Sequence, residues 1–357
     1  MATLAETTRA ARGRTVIDLR SDVLSPATPE MFEAMARAEI GWPLRGEDPS
    51  VNRLERLGAD LLGTEDALFV PNASSANLLA LLVQLDRGSA VLMDRLAHIN
   101  VTEWYSLALG GFIARTVDST RGRVDPGEIG AALAEGAAGR APRVGMLVLE
   151  NTHTFAGGVA IAPAETSLLA DLAHEHGAAV HLDGARLFDA SVALGVPPAR
   201  LTAGIDTITV SLNKGLCAPY GGLLAGPAPI VARARALANQ VGFGRIHKAG
   251  HLAAAGILAL ETMVDRLADD HRRARRLAEA LDGVAGLSVD LETVQTNLIL
   301  ITPDARLGDP EGLVTRLRGL GVALMTTPGG YLRAVVHRGI DDAAIDAAIV
   351  IIGSAVA

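Results

Sequence analysis

The sequence predicts an α/β protein with one large domain, built around a mostly parallel, seven-stranded sheet, and a smaller C-terminal α+β domain. Short apolar runs alternate with longer helical patterns over the first two thirds of the chain. Several of these runs are apolar without interruption, as is usual for strands that are buried on both faces of a sheet. At 357 residues, the chain is also longer than one ordinary domain.

The predicted strands of the large domain share an apolar run that ends in a turn or in the start of a helical pattern. They are Asp66–Val70, Ala90–Asp94, Phe112–Val117, Val144–Glu150, Ala179–Asp183, Thr207–Leu212 and Gly222–Ala225. Parallel strands need crossover connections, and the helical patterns Ser74–Leu85 and Ala164–His176 supply them.

From about Arg245 the pattern changes to long helices, of which the longest is predicted at Gly250–Leu281. The strand candidates Leu298–Thr302 and Leu332–Val336 follow. We therefore predict a flexible tail at residues 1–14, a large domain at 15–244 and a small domain at 245–357.

Composition excludes several classes of function. The formal net charge is −8 and no run of Lys or Arg stands apart from acidic neighbours, which argues against a nucleic-acid or anionic-membrane partner. No apolar stretch approaches the ~20 residues of a membrane helix. A single cysteine, Cys217, allows no internal disulfide and no cysteine metal cluster, and it points to a reducing compartment. We expect a cytoplasmic protein that acts on a small molecule and binds no metal.

The chain has only two lysines, Lys214 and Lys248, so chemistry that needs a lysine amine has two candidates. Lys214 directly follows a predicted buried strand and precedes Gly215. A desolvated ammonium is costly unless it is paired or consumed in an imine, which favours a chemical role over an exposed loop position. We interpret Cys217 as a small buried residue rather than a nucleophile.

Two further segments lie at the carboxyl ends of predicted strands, where ligands bind in open α/β sheets. Residues 72–75 lead into a helix, so free N–H groups and the hydroxyls of Ser74 and Ser75 are placed for a phosphate, although an ordinary N-capped helix has the same pattern. Asp183 ends a strand, with Arg186 three residues beyond. A carboxylate there suits either a pyridinium nitrogen or the cap of the next helix.

The order of these features, a phosphate segment, Asp-x-x-Arg and then Ser211-Leu-Asn-Lys214, describes a site for pyridoxal phosphate (PLP). Further motifs strengthen the pattern: Ile17-Asp-Leu-Arg-Ser-Asp22, Gly46-Glu-Asp-Pro-Ser-Val-Asn52, Ala97-His-Ile99, Glu150-Asn-Thr-His153, Ala156-Gly-Gly158, His181-Leu-Asp-Gly-Ala-Arg-Leu-Phe188 and Lys214-Gly-Leu-Cys-Ala-Pro219. From about Ile17 to Leu260 the chain resembles the threonine aldolase and β-eliminating lyase family. The resemblance implies the fold type I architecture of PLP-dependent transferases.

For the cofactor, the resemblance implies a Schiff base between PLP and Lys214 and a contact of Asp183 with the pyridine nitrogen. His98 would stack on the ring. The residues that would complete the cofactor site, mostly at the phosphate, are Ala73, Ser74, Arg186 and Ser211.

For the substrate, the resemblance implies that the carboxylate is held by Ser21, Arg186 and Arg333. His153 would lie near the substrate hydroxyl, as a base or as a group that orients it. Histidine, whose unperturbed pKa is near ~6.5, is largely neutral at physiological pH, which suits a base. Without the resemblance, His98 and His153 would be interpreted as core histidines.

The function that the resemblance implies is cleavage of a 3-hydroxy amino acid, such as threonine, allo-threonine or a bulkier analogue, to glycine and an aldehyde. The alternatives are β-elimination or other chemistry at Cα in a biosynthetic pathway, and a scaffold that binds PLP without turnover. A nucleotide-binding dehydrogenase is disfavoured, because no Gly-x-Gly-x-x-Gly follows the first strand. Family members are commonly dimers or tetramers, so we expect a homo-oligomer.

Departures from the family pattern concern the substrate more than the cofactor. Thr154-Phe155 replaces the usual Asn-Arg, Arg45 replaces a Tyr, and Asn72-Ala-Ser74 replaces Ser-Gly-Thr. The phosphate-directed arginine of the family is missing from 242–250, where Arg245, His247 or Lys248 is a candidate replacement. Phe155 is expected to make the distal pocket more apolar and to favour larger β-substituents.

Overall fold

The computed structural model describes residues 16–356, so the tail predicted at 1–14 lies outside the described residues. Two compact units are present: one runs from Ser25 to Ala268, and the other combines the segment that ends at Leu24 with the segment that begins at Asp269. The sequence prediction divided the chain after Gly244. The structural division comes later because the helix Gly250–Thr262 packs on two helices near the start of the larger unit.

The strands of the described region are numbered in chain order. They are β1 (Ile17–Asp18), β2 (Asp66–Val70), β3 (Ala90–Asp94), β4 (Ile113–Val117), β5 (Ser119–Thr120), β6 (Arg123–Val124), β7 (Val144–Glu150), β8 (Ala179–Gly184), β9 (Thr207–Ser211), β10 (Gly222–Gly226), β11 (Leu287–Val289), β12 (Leu298–Pro303), β13 (Val322–Ala323), β14 (Met325–Thr326) and β15 (Leu332–Val335).

The α-helices of the same region are α1 (Pro29–Arg37), α2 (Pro49–Leu62), α3 (Ala73–Gln84), α4 (His98–Val101), α5 (Trp104–Gly110), α6 (Pro126–Ala137), α7 (Pro163–Glu175), α8 (Leu187–Leu194), α9 (Pro198–Leu201), α10 (Ala228–Val241), α11 (Gly250–Thr262), α12 (Leu267–Asp282), α13 (Pro310–Leu320) and α14 (Asp342–Val356). Short 3₁₀ turns occur at Asp22–Leu24, Pro43–Arg45, Thr154–Ala156 and Ala305–Leu307.

Within residues 16–356, the larger unit has a seven-stranded sheet in the order β2-β10-β9-β8-β7-β3-β4. Strand β10 runs antiparallel to both of its neighbours, and the other pairs are parallel. The predicted fold class is therefore confirmed, and each of the seven predicted strands agrees with an observed one to within one residue at either end.

The alternation of side chains along β8 separates core from site. Val180 belongs to the apolar core beneath α6 and α7, whereas His181 points to the opposite face and meets Asn77 of α3. Asp183 lies on that same face, and it is paired in register with Glu150 of β7 and Thr209 of β9. Polar groups from three strands therefore gather at the carboxyl edge of the sheet.

One predicted helix was wrong. The pattern predicted a single helix at Gly250–Leu281, but the structure has α11 and α12 with a turn between Thr262 and Leu267. The turn lets Met263 and Leu267 bury their side chains in the core of the larger unit, a packing gain that outweighs the few lost helical hydrogen bonds.

The smaller unit has an antiparallel sheet in the order β11-β12-β15-β14, and β1 pairs in parallel with β13. Apolar residues of α12, α13 and α14 cover this sheet and form a second core. The predicted α+β composition of the C-terminal part is thus observed. Among residues 16–356, no helix is long and apolar enough to cross a membrane.

Candidate active site

The centre of the candidate site is the buried carboxylate of Asp183. Asn77 donates from Nδ2 to Asp183 Oδ2 at 3.0 Å and to Glu103 Oε2 at 3.1 Å, so one amide bridges two acidic side chains. The main-chain N–H of Ala185 donates to Asp183 Oδ1 at 3.1 Å. Burial, together with the nearby carboxylates, raises the pKa of Asp183. A charged Asp183 therefore calls for a cationic partner.

A buried histidine fixes the orientation of that amide. His181 Nε2 lies 3.0 Å from Asn77 Oδ1, and its Nδ1 lies 2.9 Å from the hydroxyl of Thr207. Burial lowers the pKa of His181 to about 4, so its ring is neutral at physiological pH. A neutral ring that donates from Nε2 leaves Asn77 with both of its N–H groups directed at the carboxylates.

His98 stands at the start of α4 with its side chain 28% exposed, which leaves part of the ring accessible. Its Nδ1 lies 3.2 Å from Glu103 Oε1, and its main-chain N–H donates to Glu150 Oε2 at 2.8 Å. Burial opposes the charged ring, but the contact with Glu103 and the charges of Asp183 and Glu150 raise the pKa of His98. His98 and Asp183 are therefore electrostatic neighbours.

The N-terminus of α3 supplies an anion-binding end. The Asn72 side chain caps the helix by accepting from the N–H of Ser75 at 2.8 Å. The N–H groups of Ala73 and Ser74 are in the same first turn, where no preceding helical carbonyl can accept from them. A side chain at Gly222 would place its Cβ 3.0 Å from the nitrogen of Ala73, so strand β10 must come close here.

Two hydroxyls that the sequence assigned to the cofactor have other partners. Ser74 Oγ donates to Glu103 Oε1 at 2.6 Å, and Ser211 Oγ donates to Asn213 Oδ1 at 2.9 Å. Main-chain N–H groups, rather than these hydroxyl protons, are therefore the donors that α3 offers to a phosphate.

The structure places the two lysines, Lys214 and Lys248, in different surroundings. Lys214 follows β9 in a partly buried turn, and its charge lowers the pKa of Asp183, so the two groups lie near each other. Lys248 lies exposed in the loop before α11. Only Lys214 shares the surroundings of Asp183.

Arg186 joins the site through the Glu-Asn-Thr-His segment. The guanidinium is buried and donates from Nη1 to Thr154 Oγ1 at 3.1 Å. The N–H of Thr154 donates to Glu150 Oε1 at 2.8 Å, and Glu150 also accepts from His98. Thr154, which departs from the family pattern, thus has a specific contact with Arg186.

His153 is almost completely buried, and its Nε2 lies 2.7 Å from Asp94 Oδ2. Burial opposes the charge of the ring, but Glu150, Asp94 and Asp183 together raise the pKa of His153 above its usual value. The ordinary pKa of histidine, on which the expectation of a neutral His153 rested, therefore does not apply in this environment. With Glu150 and apolar side chains, the Asp94–His153 pair lines a cavity of about 120 Å³.

Ser21 and Arg333 belong to the smaller unit. Arg333 Nη2 donates to the main-chain carbonyl of Arg20 at 3.1 Å, and Ser21 is the next residue along the chain. Two of the three residues predicted to hold the substrate carboxylate, Ser21 and Arg333, are therefore neighbours. Their role stays a prediction.

Sequence reasoning assigned no role to the residues that connect the site: Asn77, Asp94, Glu103 and Glu150. Each is buried, and each contacts a predicted site residue that is distant in sequence: Asp183 for Asn77, His153 for Asp94, Ser74 for Glu103 and His98 for Glu150. A usable signal was present for Glu150, which ends an apolar strand next to the quoted Asn-Thr-His motif.

The fold is the fold type I architecture of PLP-dependent enzymes. A threonine aldolase from Leishmania major matches with a TM-score of 0.81 over 95% of this chain and 99% of that chain, at 20% identity. An aromatic amino acid β-eliminating lyase or threonine aldolase, so described from sequence, from Exiguobacterium sp. 255-15 matches with a TM-score of 0.78 at 24% identity, over 96% and 97% of the two chains. At these identities the likeness concerns the fold alone.

Comparison with known sequences assigns this chain to a protein family. The model of the beta-eliminating lyase family matches residues 18–303. Low-specificity L-threonine aldolase 2 of Arabidopsis thaliana, named as probable, is 36% identical over 342 residues, which is 92% of this chain and 94% of that protein. The low specificity L-threonine aldolase of Escherichia coli (strain K12) is 34% identical over 336 residues, 90% and 94% of the two chains. The chain belongs to the beta-eliminating lyase family, which confirms the resemblance and the expectation of a PLP-dependent lyase.

Proposed function

We propose that this protein cleaves the Cα–Cβ bond of a 3-hydroxy amino acid, threonine, allo-threonine or a bulkier analogue, to release glycine and an aldehyde, with PLP bound at Lys214. The observation that carries the proposal is the buried carboxylate of Asp183 beside one of only two lysines in the chain. The threonine aldolases among the relatives support the substrate class.

The residues present fit PLP. The raised pKa of Asp183 means that its charged form lacks full compensation, which a protonated ring nitrogen would supply. The first turn of α3 offers N–H groups and a positive helix end to a phosphate. The partly exposed ring of His98 is available to stack on an aromatic cofactor. Lys214 offers the amine for covalent attachment.

When bound, PLP supplies an electron sink for the pair of electrons released as a bond to Cα breaks. Asp183, held by Asn77 and Ala185, would supply the negative charge that keeps the ring nitrogen protonated. Arg186 offers a buried guanidinium to a carboxylate and fixes the substrate in orientation. The bond that breaks is thereby selected by how the substrate is held.

His153 controls the proton at the β-oxygen in this proposal. In its charged form it donates a hydrogen bond to that oxygen, and above its raised pKa it accepts the hydroxyl proton. Aldol cleavage uses the second form. We therefore expect activity to rise with pH through the pKa of His153.

The raised pKa of His153 also supports a second candidate function, β-elimination, because a charged imidazole can protonate a departing hydroxyl. Elimination yields ammonia and a 2-oxo acid, whereas aldol cleavage yields glycine and an aldehyde.

The two candidates differ in products, so a product assay tests them. The holoenzyme is incubated separately with L-threonine, L-allo-threonine and L-phenylserine, and all four product types are measured, with Lys214→Ala as the inactive control. Equal amounts of glycine and aldehyde support the proposal. Ammonia with a 2-oxo acid would replace it by elimination, and no product from any substrate would overturn both.

We also propose that the protein forms a homodimer or homotetramer. Large apolar side chains of the larger unit are exposed in two stretches, residues 32–44 and 104–109: Phe32, Ile40, Trp42, Leu44, Trp104 and Leu109. Exposed apolar groups in such number are typical of an interface. Light scattering after gel filtration should give a multiple of 36.9 kDa, and a strictly monomeric holoenzyme would contradict the proposal. For its location we propose the cytoplasm, since the single cysteine, Cys217, is buried and reduced.

A further inference from the structure

Asp94 is a buried carboxylate without a role in the proposed function so far. It is the last residue of β3, and its Oδ2 lies 2.7 Å from His153 Nε2. The hydroxyl of Ser119 donates to the same oxygen at 2.5 Å, and the N–H of Leu96 donates to Oδ1 at 3.1 Å. Three contacts therefore hold the carboxylate in one orientation toward the histidine.

His153 is also held in place by contacts with its neighbours. The main chain of His153 forms an isolated bridge with Val159 and donates to its carbonyl at 3.0 Å. Gly122, in the left-handed region at φ 75°, lies so close that an added Cβ would be 2.9 Å from the Cβ of His153. The turn between β5 and β6 therefore packs closely against the base of the His153 side chain.

The two ring nitrogens of His153 have different surroundings. Nε2 lies 2.7 Å from Asp94 Oδ2, which is an ion-pair distance, and Asp94 faces this nitrogen rather than Nδ1. Both nitrogens are buried, and within the part of the chain that the structure describes neither forms a well-directed hydrogen bond. In a neutral histidine, a carboxylate at one nitrogen retains the proton there and leaves the lone pair on the other.

We propose that Asp94 is a positioning residue for His153: it keeps the proton on Nε2 and so reserves Nδ1 for the β-oxygen of the substrate. The inference rests on the proposed function, in which His153 handles that oxygen. It assigns a role to a residue that ends the sheet strand before the Ala-His-Ile motif and that touches no predicted cofactor group.

Charges from every neighbouring element act on His153. The facing groups are Asp94 of β3, Glu150 of β7, Asp183 of β8, and the ion pair of Arg123 on β6 with Glu165 on α7. Burial opposes the charge of the His153 ring, but the three carboxylates raise its pKa. Burial also opposes the charge of Asp94, but His153 and Ser119 lower the pKa of Asp94. Removal of the Asp94 charge must therefore lower the pKa of His153.

The test compares Asp94→Asn with Asp94→Glu, which keeps the charge, in the holoenzyme. The amide can donate to Nε2 and impose the wrong tautomer, so we expect kcat of Asp94→Asn to fall on the order of a hundredfold while KM changes by less than about threefold. The pH limb assigned to His153 should move to lower pH by about one unit or more, and Asp94→Glu should restore most of that shift.

A loss of kcat with an unmoved pH limb, or an Asn variant as active as the parent, would overturn the inference. Should both variants fail to fold, the parent holoenzyme labelled with ¹⁵N-histidine still decides, because neutral His153 must carry its proton on Nε2. A proton on Nδ1 would overturn the role of Asp94. This spectrum needs no turnover, so it remains informative if the product assay contradicts the aldolase.

Discussion

Replacement of Asn77 by alanine should destabilise the protein more than any exposed polar substitution. The side chain is fully buried and bridges Asp183 and Glu103, at 3.0 and 3.1 Å, while its oxygen accepts from His181. In Asn77→Ala, two buried carboxylates each lose a donor, and the neutral histidine loses its acceptor.

The magnitude follows from those three contacts. A hydrogen bond to a charged group contributes about 1.5–3 kcal/mol, and a neutral one about 1 kcal/mol. Both carboxylates keep other donors, the N–H of Ala185 for Asp183 and the hydroxyl of Ser74 for Glu103, so the loss should lie in the lower half of the sum. We expect the free energy of unfolding to fall by about 4–5.5 kcal/mol, which corresponds to a Tm lower by about 5–15 °C.

The assay is thermal unfolding of the apoprotein, with and without PLP, at pH 7.5. Asn100→Ala is the matched control, because the Asn100 side chain donates to the carbonyl of Arg95 at 2.8 Å, contacts no buried charge among the described residues and lies partly exposed. That control should cost less than about 1 kcal/mol. If Asn77→Ala unfolds within about 2 °C of the parent, the bridge does not stabilise the site and our account of Asp183 is wrong.

Three further substitutions probe the same site. Asp183→Asn should keep PLP but lose activity on the order of a hundredfold, since an amide carries no negative charge to keep the ring nitrogen protonated; near-normal turnover would reduce Asp183 to a structural role. Gly222→Ala brings a Cβ to 3.0 Å from the nitrogen of Ala73 and should weaken PLP binding about tenfold in an equilibrium titration, whereas unchanged affinity would mean that α3 does not hold the phosphate. Thr154→Val removes an acceptor of Arg186 at 3.1 Å, so KM should rise several-fold with kcat little changed, and an unaltered KM would mean that Thr154 does not position Arg186 for the substrate.

The sequence predicts the sheet well because its strands are buried on both faces. A run such as Val144–Glu150 is apolar enough to be recognised without any knowledge of its partners, and the observed strand has the same bounds. The break between α11 and α12 was missed for the converse reason. Helical propensity continues through Met263, and only the tertiary burial of Met263 and Leu267 favours the turn.

The same distinction applies to the site residues: some have a signal in the sequence, and others are buried only by contacts of the folded chain. Lys214 was identified because it follows a buried strand, and Asp183 because it lies at the end of one, where a charged side chain is costly unless it has a partner. Glu103 gave no such signal, since an acidic residue beside a short helix is ordinarily solvated. Its burial depends on Ser74, Asn77 and His98, which approach it only in the folded chain.

The pKa of His153 shows most directly what could not be predicted from the sequence alone. The residue type alone suggested a neutral ring, whereas Asp94 lies 2.7 Å away and raises the pKa together with Glu150. Asp94 is separated from His153 by three helices, the β5–β6 hairpin and two strands of the large sheet, so no spacing rule in the sequence connects the two.

The central claim is that Lys214, beside Asp183, is the attachment site of PLP, and borohydride trapping tests it most directly. The holoenzyme is reduced, digested and mapped for a PLP-labelled peptide, in parallel with Lys214→Ala and with Lys248→Ala as the exposed control. We predict a yellow protein with the label on Lys214 alone, a label retained in Lys248→Ala, and neither label nor turnover in Lys214→Ala. A label on Lys248, or a colourless parent protein that takes up no label in the presence of PLP, would contradict the claim.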